Sequence, residues 1–480
     1  MIYDPVKDKF RDECGVFGIY SNDNLDVARL AFYAMYALQH RGEESSGIAV
    51  NDSGTILNHK NTGLISEIFN DVILNHLKGQ SAIGHVRSSY EGSNTIENAQ
   101  PMLIKYRSGQ LALAHNGSLT NSLELRESLE EKGAMFQTSS DTEIVANLIS
   151  RYSVFNSSIE DILTKVMKDI KGSYAMTILT PEHLIGLRDP LGIRPLCIGA
   201  IGNSYVIASE SSGLDAVGAS FLRDVKPGEI VIIDKNGLRS VQAVESKESR
   251  LCIFEFVYFA RPDSYIDGAS VHHARVEAGR ILAREHPADA DLVIGAPDSG
   301  INAALGFSRE SGIPYGQGLL KNKYVGRTFI LPEQAQREIG VRIKFNVLRD
   351  EIEGKRIVMV DDSIVRGTTT MRIVQLLKNA GAKEVHMRVS SPPCKFPCYY
   401  GIDISSSKQL VASNYSEEEI RKMIGADSIG YLSLEGLLKS PIGSKCGFCT
   451  ACFNGDYPID ISQSACKNIC GNSTKKQEEI

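Results

Sequence analysis

The sequence predicts an α+β domain followed by a parallel α/β domain, and three observations carry that reading. With 480 residues, the chain is long enough for two or three domains of about 100–200 residues each. From Gly15 to about Ile233, short apolar runs such as Val16 to Tyr20, Gly47 to Val50 and Leu111 to Ala114 are separated by Gly, Asn and Ser, a strand-rich pattern. After the polar stretch Val244 to Arg250, the candidate boundary, the order changes to strand, loop, helix, strand, the alternation of a parallel sheet.

Composition narrows the function classes. Apolar residues make up 42% and charged residues 23%, a globular balance rather than a disordered or fibrous one. The formal charge of −6, from 52 basic and 58 acidic residues, argues against a nucleic-acid partner held by charge. No apolar run reaches the ~18 residues of a membrane span. Met1 to Glu13 is charged, where a secretory leader is apolar. The expected address is cytoplasmic, with no membrane partner. In such a compartment the ten cysteines are read as metal or nucleophile chemistry before disulfides. There is no internal repeat or low-complexity tract, and Asn472 to Ile480 reads as a frayed end.

In the first half, Cys14 heads the run Cys14-Gly15-Val16-Phe17-Gly18 behind a short charged peptide. Removal of that peptide would leave Cys14 with a free α-amine beside its thiol. The amine, with a reference pKa of about 7.7–8.0, then serves as general base near neutrality without a distant histidine. A buried structural cysteine is the competing reading. Val27 to Leu38 is predicted helical, ending near Gly42, and Asp141 to Tyr152 carries Ile144, Val145, Leu148 and Ile149 at helical spacing. His115-Asn116-Gly117 follows the predicted strand Leu111 to Ala114, where an Asn amide and a Gly N–H can face a developing oxyanion; alone, such a tripeptide is more often a turn. Arg87, in Gly84-His85-Val86-Arg87, offers a fork for a carboxylate, and Asp141, in Ser139-Ser140-Asp141-Thr142-Glu143, offers an acid for an ammonium. The plain reading of Asp141 is a helix N-cap. An amino-acid substrate needs both charged partners. Leu222 to Gly237 closes this half with a Pro-Gly turn and a last apolar run.

Five motifs in order, Cys14-Gly15-Val16-Phe17-Gly18, Gln39-His40-Arg41-Gly42, Gly84-His85-Val86-Arg87, His115-Asn116-Gly117 and Ser140-Asp141-Thr142-Glu143, resemble the class II glutamine amidotransferase domain. That is an N-terminal-nucleophile hydrolase fold, with stacked sheets between helices, here spanning residues 14–243. The resemblance implies that Cys14 attacks the glutamine side-chain amide and that Asn116 and Gly117 stabilise the oxyanion. It implies that Arg87 and Asp141 hold the α-carboxylate and α-ammonium, and that residues 1–13 are a propeptide. After Arg87 the chain reads Ser88-Ser89-Tyr90-Glu91-Gly92 in place of the family's usual Tyr-Ser-Thr-Ala-Gly.

In the second half, Asp291 to Ala296 reads as a buried strand, Pro297 to Gly300 as a turn and Ile301 to Phe307 as the start of a helix. Ile357 to Val360 is a second strand. Met371 to Ala380 is a helix with Ile373, Leu376, Leu377 and Ala380 on one stripe and Gly381 as its stop. The second strand delivers Asp361 and Asp362, and Ser363 to Thr370 leads into the helix, so backbone N–H groups and hydroxyls converge on an anion at the helix start. The lack of a Lys-Ser/Thr ending disfavours a P-loop. The two acids suit ribose hydroxyls, directly or through Mg²⁺; an acidic turn with a Thr-rich cap is the competing reading. Between these strands Lys321, Lys323, Arg327, Arg337, Arg342 and Lys344 make a basic loop.

Asp361 to Thr370 resembles the phosphoribosylpyrophosphate (PRPP) motif of type I phosphoribosyltransferases, an α/β domain here spanning 251–465. The resemblance implies Asp361 and Asp362 at the ribose and Ser363, Arg366, Gly367, Thr368 and Thr369 at the 5-phosphate. It implies Pro297-Asp298-Ser299-Gly300 at the pyrophosphate, Mg²⁺ near Ser299, Asp361 and Asp362, and the basic loop as a lid. Cys449-Thr450-Ala451-Cys452 reads as a two-ligand hairpin to which Cys252 and Cys398 can add two thiolates. Four thiolates suit either Zn²⁺ or a [4Fe–4S] cluster, and free buried thiols are the third reading.

A glutaminase followed by a PRPP site resembles the glutamine PRPP amidotransferase family, from Cys14 to Cys452 and including Phe259-Ala260-Arg261-Pro262-Asp263. The resemblance implies the opening step of purine synthesis, in which ammonia from glutamine passes by a closed path to C1 of PRPP. The chain matches the cluster-bearing, propeptide-bearing branch of that family at Cys252, Cys398, Cys449 and Cys452, which implies a structural [4Fe–4S] cluster on those four cysteines; the family also implies a homotetramer and inhibition by purine nucleotides. Cys394 and Cys446 lie near the ligands in sequence, and Cys466 and Cys470 stand in the polar tail 466–480; none has an assigned role. Two rivals are another class II glutamine amidotransferase, disfavoured by Asp361 to Thr370, and a PRPP-binding regulatory protein, disfavoured by the intact Cys14, Asn116 and Gly117.

Overall fold

Alternating apolar residues along the strands of the first half face two different cores, which stacks two sheets between helices. The computed structural model describes residues 14–88, 94–155, 157–245, 248–322, 345–402 and 406–461. The proposed propeptide, Ser89 to Gly92, the lid from Lys323 to Lys344, and Cys466 and Cys470 lie outside the described residues. The first half contributes β1 (Cys14–Tyr20), β2 (Ser45–Asp52), β3 (Thr55–Thr62), β4 (Ser81–Arg87), β5 (Met102–Tyr106), β6 (Gly109–Leu119), β7 (Gly172–Leu179), β8 (Leu184–Arg188), β9 (Cys197–Ile201), β10 (Ser204–Ala208), β11 (Ser220–Asp224), β12 (Glu229–Asp234) and β13 (Gly237–Gln242). They form a seven-stranded sheet in the order β11-β9-β10-β1-β4-β2-β3 and a six-stranded sheet in the order β13-β12-β8-β7-β6-β5.

Val16 and Ile83 on the first sheet meet Ala112, Ala114 and Ala175 on the second, making the core between the sheets. The opposite face of the first sheet, with Phe17 and Ile19, packs on the helix Val27–Ala37 through Ala31 and Met35. That of the second, with Leu111 and Leu113, packs on Ile144, Val145, Leu148 and Ile149 of the helix Asp141–Ser153, the four positions whose spacing predicts the helix.

Two local expectations are corrected. His115-Asn116-Gly117 does not follow a strand; β6 runs through it to Leu119, paired from Asn116↔Ala175 to Leu119↔Gly172. Asn and Gly read as a turn because the sequence shows their propensity and not their partner strand. Gly117 is required here: its φ is +137°, and a Cβ would stand 2.1 Å from the Ser173 carbonyl oxygen. Asp141 is likewise not the N-cap. Ser140 takes that place, its side chain accepting from Thr142 N–H, which leaves the Asp141 carboxylate for another partner.

In the second half, the strands Leu292–Gly295, Arg356–Asp361, Glu384–Val389 and Ser428–Tyr431 lie in that order and all pair in parallel. Val293 also bridges Tyr315 on its other side, so the chain steps outward one way and returns on the other. The carboxyl ends of Leu292–Gly295 and Arg356–Asp361 therefore flank the crevice at which open α/β sheets bind ligands. The helix Thr368–Asn379 buries Ile373 and Leu377 on one face of the sheet, and Gly381 follows it with φ +95°, as its predicted stop. The other face carries helices Val271–Glu285 and Ile301–Ser311.

The last strand of the first half ends at Gln242 and the next begins at Leu251. The halves are stitched beyond that point: Cys252 N–H donates to the Ile193 carbonyl (3.1 Å) and Ser173 Oγ to the Tyr400 carbonyl (2.7 Å). Among the described residues no helix is long and apolar enough to cross a membrane.

Candidate active sites

The side-chain period of two in a strand puts Cys14 and Val16 on one face of β1, and Ala112, Ala114 and Asn116 on one face of β6. Val16, Ala112 and Ala114 line the same core between the sheets, so Cys14 and Asn116 belong to facing surfaces. Cys14 pairs with Arg87 across β1 and β4, and both are buried. His85 Nε2 donates to the His115 carbonyl (3.0 Å), tying the sheets together beside them. Burial pushes the His85 imidazole down to about 3 and that of His115 down to about 4, which leaves both neutral and structural near pH 7.

Asn116 is fully buried, and neither its amide nitrogen nor its amide oxygen has a hydrogen-bond partner. Orphaned buried amides are rare and call for an explanation; an amide aimed at charge that appears only during reaction supplies one. Asp141 Oδ2 accepts from Leu119 N–H (2.8 Å). Burial raises its carboxyl to about 6, against the opposing influence of that hydrogen bond, Arg126 and Arg87. An acid held in this state near an arginine is what an incoming ammonium relieves.

At the crevice of the second half, Asp361 and Asp362 are each 1% exposed, held by the end of their strand. Asp362 N–H donates to Asp361 Oδ1 (2.9 Å), Ser363 Oγ to Asp362 Oδ2 (2.6 Å), and Ser299 Oγ reaches across from the neighbouring loop to Asp362 Oδ1 (2.5 Å). Lys321 pairs with Asp298 on the same rim (2.6 Å). Gly367 caps the helix Thr368–Asn379 with φ +81° and no side-chain hydrogen bond, so its first turn presents N–H groups. Thr368 Oγ1 is buried without a partner. Thr369 follows it in that turn, and Arg366 points away to Gln409 Oε1 (2.7 Å). Ser299, Asp361, Asp362, Ser363, Gly367, Thr368 and Thr369 thus share one end of the sheet.

The cysteines gather on the other face of the same sheet. Cys252, Cys398 and Cys452, with Cys394, belong to one apolar cluster, against which Cys446 and Cys449 pack. Cys449 is not in a hairpin with Cys452: it lies on the strand Phe448–Cys449, paired in parallel with Cys252, and Cys452 lies in the following helical turn Ala451–Asn454. Thr450 accepts from Phe453 N–H and starts that turn, a local hydrogen bond that spacing does not reveal.

A glutamine amidotransferase domain model matches residues 85–216, which contain Arg87, Asn116, Gly117 and Asp141. Over 456 residues the chain is 50% identical to an amidophosphoribosyltransferase of Archaeoglobus fulgidus, covering 95% of this chain and all of the relative. It is also 50% identical over 458 residues to that of Bacillus subtilis, covering 94% and 95%. The chain belongs to the amidophosphoribosyltransferase family. Among solved structures, the B. subtilis glutamine PRPP amidotransferase complexed with ADP and GMP superposes with a TM-score of 0.88 at 49% identity, over 94% of this chain and 98% of that one. An allosteric regulatory enzyme of purine biosynthesis gives 0.89 at 48% identity, over 94% and 97%. The fold is therefore that of an N-terminal-nucleophile glutamine amidotransferase joined to a phosphoribosyltransferase.

The donor chemistry fits the two inorganic groups that the sequence resemblance implies, Mg²⁺ and a [4Fe–4S] cluster. Cys252, Cys398, Cys449 and Cys452 are thiols in an apolar pocket, and Cys398 Sγ accepts from Tyr400 N–H (3.3 Å), the kind of bond that tunes cluster sulfur. Among the described residues no three His, Cys, Asp or Glu side chains are grouped closely enough to hold a single metal ion. At the crevice the oxygens of Asp361, Asp362 and Ser299 are hard donors of the kind Mg²⁺ shares with substrate phosphates.

Several buried residues of the site had no role in the sequence reading. Arg41 Nη2 donates to Glu255 Oε2 (2.6 Å) and its Nε to Glu210, acids 214 and 169 residues away in sequence. Arg41 was visible in a motif, but no local signal names its partners.

Proposed function

We propose that the chain converts glutamine, PRPP and water into 5-phosphoribosylamine, glutamate and pyrophosphate. The Cys14 sulfur attacks the glutamine side-chain carbonyl carbon, the C–N bond breaks with loss of ammonia, and water hydrolyses the thioester to glutamate. Asn116 and Gly117 N–H donate to the oxyanion, and Arg87 and Asp141 hold the ends of the amino acid. With residues 1–13 removed, the Cys14 α-amine accepts the thiol proton. Ammonia then attacks C1 of PRPP as the bond to pyrophosphate breaks. Asp361 and Asp362 hold the ribose, the turn Ser363 to Thr369 holds the 5-phosphate, and Ser299 marks the pyrophosphate side.

The single observation that carries this reading is the fully buried, unpartnered Asn116 amide on the surface that faces Cys14. Mg²⁺ near Ser299, Asp361 and Asp362 would screen pyrophosphate charge. A [4Fe–4S] cluster on Cys252, Cys398, Cys449 and Cys452 would be structural, since amide transfer moves no electron. None of the eight described cysteines is in a disulfide, and the cytoplasm is the expected address. Inhibition by purine nucleotides draws support from the ADP and GMP of the B. subtilis complex, and a homotetramer is the expected assembly.

The test is Cys14→Ala, assayed with glutamine and then with ammonia. Glutamine-dependent product falls to background, while ammonia-dependent product persists. Loss of both in a folded protein contradicts two separate sites. Asp361→Asn with Asp362→Asn is expected to weaken PRPP binding, and unchanged affinity refutes the assignment of that loop.

A further inference from the structure

We infer that Glu255, a residue of the second half, is a positioning residue for the glutaminase site of the first. The inference rests on the glutaminase reading of Cys14. Four charged side chains that touch one another are fully buried: Arg41, Arg194, Glu210 and Glu255. The first half supplies Arg41, Arg194 and Glu210, and the second supplies Glu255, which pairs with both arginines. Buried charge without a partner is strongly unfavourable, so docking of the second half brings an acid to both buried arginines.

Arg41 is the member that reaches the reaction site. A Cβ at Gly15, the residue after Cys14, would stand 3.4 Å from Arg41 Cδ, and one at Gly42 would stand 2.6 Å from Arg87 N and 2.4 Å from Arg87 C. The Arg41 stem and the Gly42 backbone thus lie against the two strands that carry Cys14 and Arg87. Glu255 holds the far end of that stem with both oxygens, to Nη2 at 2.6 Å and to Nη1 at 3.3 Å. Burial alone would raise the Glu210 carboxyl, but Arg41 and His40 outweigh it and hold it well below the usual carboxylate range; Arg41 is therefore gripped by the ionised Glu210 on one side and by Glu255 on the other.

Glu255 begins a five-residue π-helix, Glu255–Phe259, a rare form often found at functional sites. Arg275 anchors that segment by donating to the Phe256 (2.8 Å) and Ala260 (2.7 Å) carbonyls. Arg194, 3.8 Å from Glu255, donates to the Tyr400 and Gly401 carbonyls, just past Cys398. The position of Glu255 is consequently set by the second half, three residues after Cys252.

Glu255→Gln and Asp267→Asn separate positioning from stability. Asp267 makes another cross-half pair, with Arg188 (2.7 Å), which does not involve Arg41 or Glu255. The readout is glutamine-dependent over ammonia-dependent product formation, with KM and kcat for glutamine resolved. Glu255→Gln is expected to lower that ratio by roughly tenfold to a hundredfold, as a displacement of about 1 Å at a reacting group does, with Asp267→Asn leaving it unchanged. An unchanged ratio in folded Glu255→Gln overturns the inference, and so does an equal fall in both variants. If Glu255→Gln does not fold, Arg41→Lys decides by the same ratio, since it keeps the charge and loses the fork. A wild-type protein that makes no product from either nitrogen source refutes the function itself instead.

Discussion

At the residue scale, burial rather than residue type sets the behaviour of the glutamine site. Asp141 carries a carboxyl raised to about 6, so it binds a proton between about pH 4 and 6 when the unfolded chain does not. Its contribution to stability therefore falls as pH rises through that window and is constant above it. Its affinity for an ammonium does the opposite and appears only as it ionises. The KM for glutamine is expected to rise below about pH 6 while ammonia-dependent KM for PRPP stays flat, and Asp141→Asn should raise KM and abolish the difference. His85, pushed down to about 3, has a folded value below the unfolded one. The unfolded chain then binds the extra proton below about pH 6.5, and the stability due to neutral His85 is lost as pH falls, by about 1.4 kcal/mol per unit. His85→Gln should shift the acid unfolding midpoint, read by circular dichroism, and a midpoint equal to wild type refutes this account.

At the element scale, β6 shows how one backbone exception shapes a site. Gly117 sits at φ +137° inside a paired strand, with the Ser173 carbonyl where a side chain would begin. Gly117→Ala is expected to push β6 from β7 and displace Asn116, lowering glutamine-dependent activity by about a hundredfold. Ammonia-dependent activity should hold within about twofold, a margin of roughly 0.4 kcal/mol in barrier height, because the parallel sheet does not depend on this pairing. A parallel loss of both activities would show that the change unfolds the chain rather than moving Asn116. The helix Thr368–Asn379 follows a simpler rule: Gly367 enters it with positive φ, its apolar stripe docks on the sheet, and its first turn is left without a side-chain cap.

At the scale of the whole molecule, the halves are joined by charge as well as by apolar packing. Arg188 is 1% exposed, and Asp267 from the other half neutralises it. Breaking such a pair by removing one partner costs about 3 kcal/mol or more, so Asp267→Asn should lower the thermal midpoint by several degrees in calorimetry. An unchanged midpoint would mean the pair contributes nothing. Much of this organisation was legible in the sequence. The strand that ends in Asp361 and Asp362, the helix after it and the Asp141 helix follow from short-range periodicity, and the paired charges Arg87 and Asp141 from residue chemistry. What the sequence misplaced was decided by distant partners. His115-Asn116-Gly117 reads as a turn until β7 pairs with it, and Cys449 reads as half of a hairpin until Cys252 does. Local propensity is a property of neighbours along the chain, so the sequence by itself determined the elements, the motifs and their family. Only the tertiary structure decided which buried charges balance one another and which amide is left without a partner, because burial and pairing depend on residues hundreds of positions apart.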